Sequence, residues 1–265
     1  MKKLIYLLLL LPLGCTNQSA DPQTANEADS IQEKGLPTQQ EPTANPHADS
    51  ATPSSLSGDK PLASRNPHAR LSPEQHIAVA LQHAQEGRIE QAVDILNSAI
   101  AQTPDHAGLL GARGGLMLSL DQTADALTDL EQAVQLAPDS SLLLVNRSQA
   151  YRKFNRLDEA MADLDKAVEL SPNLIPARFN RGVLHYGNAD YKSALTDFDL
   201  CIELDEKTAG PYFNRAITRD AMGDSTGAVE DLNRFLTLTN DETWKQAARD
   251  TLRVIEEREA VAKSE

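Results

Sequence analysis

Three stretches of this chain repeat one another at a fixed interval of 34 residues: "VNRSQAYRKFNRLDEAMADLDKAVEL" from Val145, "FNRGVLHYGNADYKSALTDFDLCIEL" from Phe179 and "FNRAITRDAMGDSTGAVEDLNRFLTL" from Phe213. Self-similarity at such a period implies one supersecondary unit stacked on copies of itself, because a single short unit cannot bury its own apolar side. The register divides residues 73–242 into five units: 73–106, 107–140, 141–174, 175–208 and 209–242. Their twentieth residue is always alanine: Ala92, Ala126, Ala160, Ala194 and Ala228. The twenty-fourth is Leu96, Leu130, Leu164, Phe198 and Leu232, and the twenty-eighth is Ile100, Val134, Val168, Ile202 and Leu236. Offsets of four place these columns on one helical face.

A second apolar stripe fills the first half of each unit, beyond a polar turn, so each unit is expected to be two antiparallel helices. Pro104, Pro138 and Pro172 close the first three units; Glu206 and Asn240 stand there in the last two. The array opens at "SPEQ", where Ser72 suits a helix cap, Pro73 the first turn and Gln75 a capping box. Residues 243–265 drop the repeat but keep helical spacing, with Trp244, Ala248, Leu252 and Ile255 on one side. Thr239 and Glu242 are expected to cap that last helix. Phe235, large where earlier units have Ala99, Ala133, Ala167 or Cys201, marks the end of regular stacking.

On these columns the chain resembles the tetratricopeptide repeat. The resemblance implies an all-α fold: a right-handed α-α superhelix (solenoid) of five helical hairpins over 73–242, plus a C-terminal capping helix over 243–265. It also implies that the second, fifth, sixth, ninth and twelfth residues of each first helix line an inner, concave, peptide-binding surface. Leu142, Val145, Phe179, Val183, Tyr186, Phe213 and Ile217 fall at such positions, flanked by Arg152 and Lys153. Asn146, Asn180 and Asn214 occupy the sixth position and resemble ladders that grip an extended peptide, since each amide offers a donor and an acceptor to peptide groups. The other reading of these asparagines is that a neighbouring helix turn or water satisfies them. In unit two the inner positions are Gly108, Gly111 and Gly115. Glycine inside a helix costs roughly 0.5–1 kcal/mol each, so something is expected to pass close to that backbone, either a partner or the protein's own N-terminal segment.

The seventh position carries Arg113, Arg147, Arg181 and Arg215, and the twenty-third Asp129, Asp163, Asp197 and Asp231. In unit one both change together, to Val79 and Ile95. One partner on each helix implies an ion pair across the hairpin.

The chain begins with Lys2 and Lys3 before an apolar run, Leu4 to Leu13, about half the length needed to cross a bilayer. Residues 1–14 therefore read as an export signal. "LLLLPLGC" resembles a bacterial lipobox, which implies a lipid on Cys15. Cys201 is then left without a disulfide partner. Residues 15–72 read as a disordered tether, because Thr16 to Ser72 holds no aromatic residue and seven prolines and cannot bury enough apolar surface to order itself. The "NPHA" that occurs there twice reads as low-complexity duplication. A net charge of −14 without a basic patch excludes nucleic acid as a partner.

No catalytic constellation stands out. His76 and His83 lie two turns apart on one helix without a third metal ligand, and no nucleophile has a base beside it. Neither enzyme activity, metal nor cofactor is expected. The sequence thus reads as a membrane-tethered scaffold or adaptor in the bacterial envelope, binding partner proteins or extended peptides. Thr16 after the lipidated cysteine, by resemblance to Gram-negative lipoproteins, points to an outer-membrane anchor facing the periplasm. The alternative is an assembly lipoprotein for an envelope machine such as a pilus or secretion channel. A second copy filling the groove would instead make a homodimer.

Overall fold

A computed structural model describes residues 71–264 of the chain. The signal segment, Cys15 and residues 16–70 of the expected tether lie outside the described residues. Among the described residues there are eleven helices and no strand. Five hairpins follow the 34-residue register: α1 (Pro73–Gln85) with α2 (Ile89–Ile100), α3 (Ala107–Ser119) with α4 (Thr123–Leu136), and α5 (Ser141–Lys153) with α6 (Leu157–Leu170). Then come α7 (Ile175–Gly187) with α8 (Tyr191–Leu204), and α9 (Ala209–Ala221) with α10 (Ser225–Leu238), before α11 (Glu242–Ser264). The chain is an α-α superhelical solenoid.

Backbone chemistry sets the helix ends. At the start, Ser72 Oγ accepts from the Gln75 N–H at 3.3 Å, and Gln75 Oε1 accepts from the Ser72 N–H at 2.8 Å. The expected capping box is therefore complete. Every first helix stops in the same way, at a fifteenth residue in the left-handed region: Gly87, Asp121, Asn155, Ala189 and Gly223, with φ between 58° and 88°. The following N–H then reaches back five residues, Arg88 to His83, Gln122 to Met117, Arg156 to Tyr151, Asp190 to His185 and Asp224 to Arg219, each at 2.9 Å. This six-to-one bond reclaims a carbonyl left over at the helix end and turns the chain straight into the second helix.

Packing explains the columns. The five alanines at position twenty and the large residues at position twenty-four are solvent-inaccessible. Position eight, on the first helix, is small throughout (Ala80, Gly114, Ser148, Gly182, Ala216) and buried. A Cβ on Gly114 would sit 2.7 Å from Leu130 Cγ, and one on Gly182 would sit 2.8 Å from Phe198 Cε1. Small residues at position eight thus make room for large ones at position twenty-four of the same hairpin.

The last helix covers the end of the stack with the face read from its spacing. Ala248 and Ile255 are buried, and Trp244 and Leu252 pack beside them against Phe213, Leu232 and Phe235. Its cap differs from expectation. Asp241 Oδ1 accepts from the Thr243 and Trp244 N–H groups at 2.9 and 3.2 Å, while Thr239 Oγ1 accepts from the Asp241 N–H and Glu242 pairs with Lys245. The acceptor is the residue immediately before the helix, and aspartate adds a negative charge at its positive end.

Candidate functional site

The first helices lie side by side, α1 on α3, α3 on α5, α5 on α7 and α7 on α9. The arginine–aspartate column joins each to the second helix of its own hairpin. Arg113 and Asp129 make two parallel bonds of 2.6 and 2.7 Å, and Arg147 with Asp163 two of 2.8 and 2.6 Å. The pairs Arg181–Asp197 and Arg215–Asp231 repeat the same fork. All four aspartates are buried. The aspartate bonds raise Arg113, Arg147 and Arg181 above the usual arginine range; for Arg215, burial pulls down but Asp231 and Asp199 together outweigh it.

A further set of bonds was not anticipated from the sequence. Arg113 also donates to Asn97 Oδ1 at 2.8 Å, Arg181 to Asp165 at 3.1 Å and Arg215 to Asp199 at 2.7 Å. Each of these acceptors is the twenty-fifth residue of the preceding unit, so one guanidinium ties two units together. Unit two offers Glu131 at that position, and its carboxylate goes instead to the Tyr151 hydroxyl and Arg156. The signal was present as a spacing of 16 residues to either side of each arginine.

The side chains expected to line the inner face divide into two groups. Val145, Phe179, Val183 and Phe213 are buried, which corrects their expected exposure. Phe179 packs against Phe198 at 6.0 Å between ring centres and leans on Gly210 of the next unit. Phe213 meets Phe235 at 5.1 Å and Trp244 at 5.7 Å. The physical reason is that these side chains pack on their own hairpin, Phe179 and Val183 with Phe198 and Phe213 with Phe235, while the following segment closes over the fifth residue. Leu142, by contrast, is 60% exposed. Asn146, Gln149, Arg152, Tyr186 and Ile217 are half-buried, and Lys153 is exposed with its Nζ on Asp121 at 2.6 Å.

The asparagines are also used internally. Asn180 Nδ2 donates to Pro176 O at 2.8 Å and Asn214 Nδ2 to Gly210 O at 3.0 Å, each one turn back on its own helix. Both residues are buried. Asn180 Oδ1 accepts from Arg152 Nη1 at 3.0 Å, so α7 orients a guanidinium carried by α5. Burial lowers the Arg152 pKa. Asn146 Nδ2 lies 3.4 Å from where a Cβ on Gly115 would stand.

The glycines of α3 are filled by the protein itself. A Cβ on Gly111 would lie 2.1 Å from Leu143 Cδ2, and one on Gly108 would crowd His106 and Ile77 at 3.1 and 3.2 Å. Neighbouring side chains from α1, α5 and the loop before α3 are what pass close to that backbone. Cys201 is buried, and desolvation pushes its thiol up to about 12. His76 Nδ1 lies 3.0 Å from Ser72 O, and His83 Nδ1 accepts from Arg88 at 3.1 Å, so the two histidines face different partners. Among the described residues no three His, Cys, Asp or Glu side chains are grouped to hold a metal.

Residues 77–140 and 175–208 match family models described as tetratricopeptide repeat, and residues 148–188 one described as TPR repeat. The chain therefore carries tetratricopeptide repeats. Solved structures share the fold at low identity. A thermophilic TPR protein of Thermus thermophilus is 18% identical with a TM-score of 0.59, covering 68% of this chain and 99% of that one. YrrB, described as a TPR protein with an unusual peptide-binding site, is 20% identical with a TM-score of 0.51, over 68% and 92%. Residues 41 to the end of MamA from Desulfovibrio magneticus RS-1 are 15% identical with a TM-score of 0.53, over 63% and 94%. No curated protein matches the chain.

Proposed function

We propose that this array of tetratricopeptide repeats is a non-catalytic scaffold that binds an extended segment of a partner protein across α5, α7 and α9. The observation that carries the reading is the accessible strip on these helices. Leu142 stands out from the surface, Tyr186 and Ile217 offer half-exposed apolar faces, and Asn180 orients the Arg152 guanidinium carried by α5. Apolar area with one oriented cation suits a peptide that brings an apolar side chain and a carbonyl or carboxylate oxygen. The YrrB description as a peptide-binding TPR protein supports the same kind of ligand.

The scaffold is tethered in a bacterial envelope, in this reading, through a lipid on Cys15, with residues 16–72 as the spacer and the outer membrane as the anchoring surface. Support comes from the lipobox resemblance and the preceding apolar run. No described helix is long and apolar enough to cross a membrane. Labelling with a fatty-acid analogue before and after Cys15→Ala tests the anchor alone.

For the groove, a photo-crosslinking amino acid placed at Leu142 or Tyr186 in living cells should capture a partner. The same residue at Thr196 or Glu203, exposed on second helices, should not. Capture from the second helices alone would move the binding surface to the other side of the array.

A further inference from the structure

The start of α3 holds an arrangement that the binding role does not use. His106 immediately precedes α3, and its Nδ1 accepts from the Leu109 N–H at 3.2 Å, a side-chain cap on the first turn that shares this N–H with the His106 carbonyl at 3.1 Å. The other ring nitrogen, Nε2, lies 3.4 Å from Glu74 Oε1 of α1. These contacts define a neutral ring with its proton on Nε2, accepting from unit two and donating to unit one. Gly108 makes the pose available, since a Cβ there would lie 3.1 Å from His106 Cε1.

We propose that His106 is an acid-sensitive latch between the first two units. Imidazoles gain a proton over the range from about pH 8 to pH 5. A proton on Nδ1 turns the acceptor into a donor that faces another donor, the Leu109 N–H, and the side-chain cap is lost, leaving that N–H to the His106 carbonyl alone. The resulting cation is repelled by the positive end of α3 and drawn to Glu74, so the ring exchanges one partner for the other. Among the described residues, the charged groups beside it are Glu74 on α1 and Asp105, its neighbour in the chain. From α2, Asn97 is turned to Arg113 of α3, which Asp129 holds. Two features make α3 sensitive to its cap. It carries glycine at 108, 111, 114 and 115, so its intrinsic helix stability is low. Its first turn also supplies Leu109 to the core shared with unit one and Leu110 to the core shared with unit three.

The test is hydrogen exchange of the Leu109 and Leu110 amides in the full chain at pH 7.5 and pH 5, each corrected for the intrinsic rate. Loss of a helix cap lowers protection by about five-fold, and that drop is expected in the wild type on acidification. His106→Asn keeps an oxygen cap that does not titrate and should hold its protection at both pH values. His106→Ala should be poorly protected at both. Glu74→Gln keeps the cap but removes the acid partner, so its drop should move to lower pH. Unchanged protection in the wild type, or an equal drop in His106→Asn, would overturn the latch.

Discussion

Units two and five follow one period yet fill the joint with the segment that follows them from opposite sides. In unit five the fifth residue is Phe213, whose ring fills the joint and meets Trp244 of α11. In unit two the fifth residue is Gly111, and Leu143 reaches back from α5 to occupy the space. Unit one makes a comparable exchange across its hairpin, with Val79 and Ile95 where the other four have an ion pair. A 34-residue period therefore fixes where space must be filled; it leaves open which helix fills it and with what chemistry.

The largest effect should come from emptying the joint that is filled from its own side. Phe213→Ala removes a fully buried ring and should cost about 3–5 kcal/mol, with Trp244 fluorescence reporting early release of α11 in a urea titration. A loss below about 1 kcal/mol, well under that range, would mean that neighbours collapse into the space and that the contrast with unit two is superficial.

The ion pair tests whether unit one's chemistry can replace that of the others. Arg147→Leu strands a buried carboxylate and should cost about 3 kcal/mol, whereas Arg147→Leu with Asp163→Leu should lie within about 1 kcal/mol of wild type. Arg181→Leu should cost less than Arg147→Leu, because Arg178 Nη1 still donates to Asp197 at 3.0 Å. Equal losses for the single and double variants, read from chemical unfolding, would show that the ion pair cannot be exchanged for an apolar one.

The hairpins were legible in the sequence because their signals are local and repeated: the alanines at position twenty, the capping box at Ser72 and the coupled change to Val79 and Ile95. The lining of the inner face was less legible. Position five tells which way Phe179 and Phe213 leave their helices, but exposure depends on how near the next helix comes, and that is set by Gly210 and Trp244 in the following segment. The sixth-position asparagines illustrate the same limit. An amide in a helix can turn to the carbonyl one turn back, as Asn180 and Asn214 do, and their spacing alone does not distinguish that from an outward pose. Asp241 is not the cap of α11 that the sequence signals, because Thr239 and Glu242 match the four-residue capping-box pattern that encloses it.

The smallest effect should come from the turn shared by all five units. Its fifteenth residue is left-handed whether or not it is glycine; Ala189 holds φ at 60°, and Gly87 and Gly223 hold 78° and 88°. A Cβ in that region meets the following carbonyl, which costs roughly 1–2 kcal/mol, and glycine's greater freedom in the unfolded chain returns part of it. Ala189→Gly should therefore stabilise by about 0.5–1 kcal/mol, and Gly223→Ala should lose a similar amount, since neither added Cβ nor its removal changes a packing contact at these exposed turns. Thermal unfolding of the two variants side by side separates backbone from side-chain effects. If both changes destabilise, the turns of units four and five differ in conformation, and the period would then dictate the packing columns without dictating the turn that joins them.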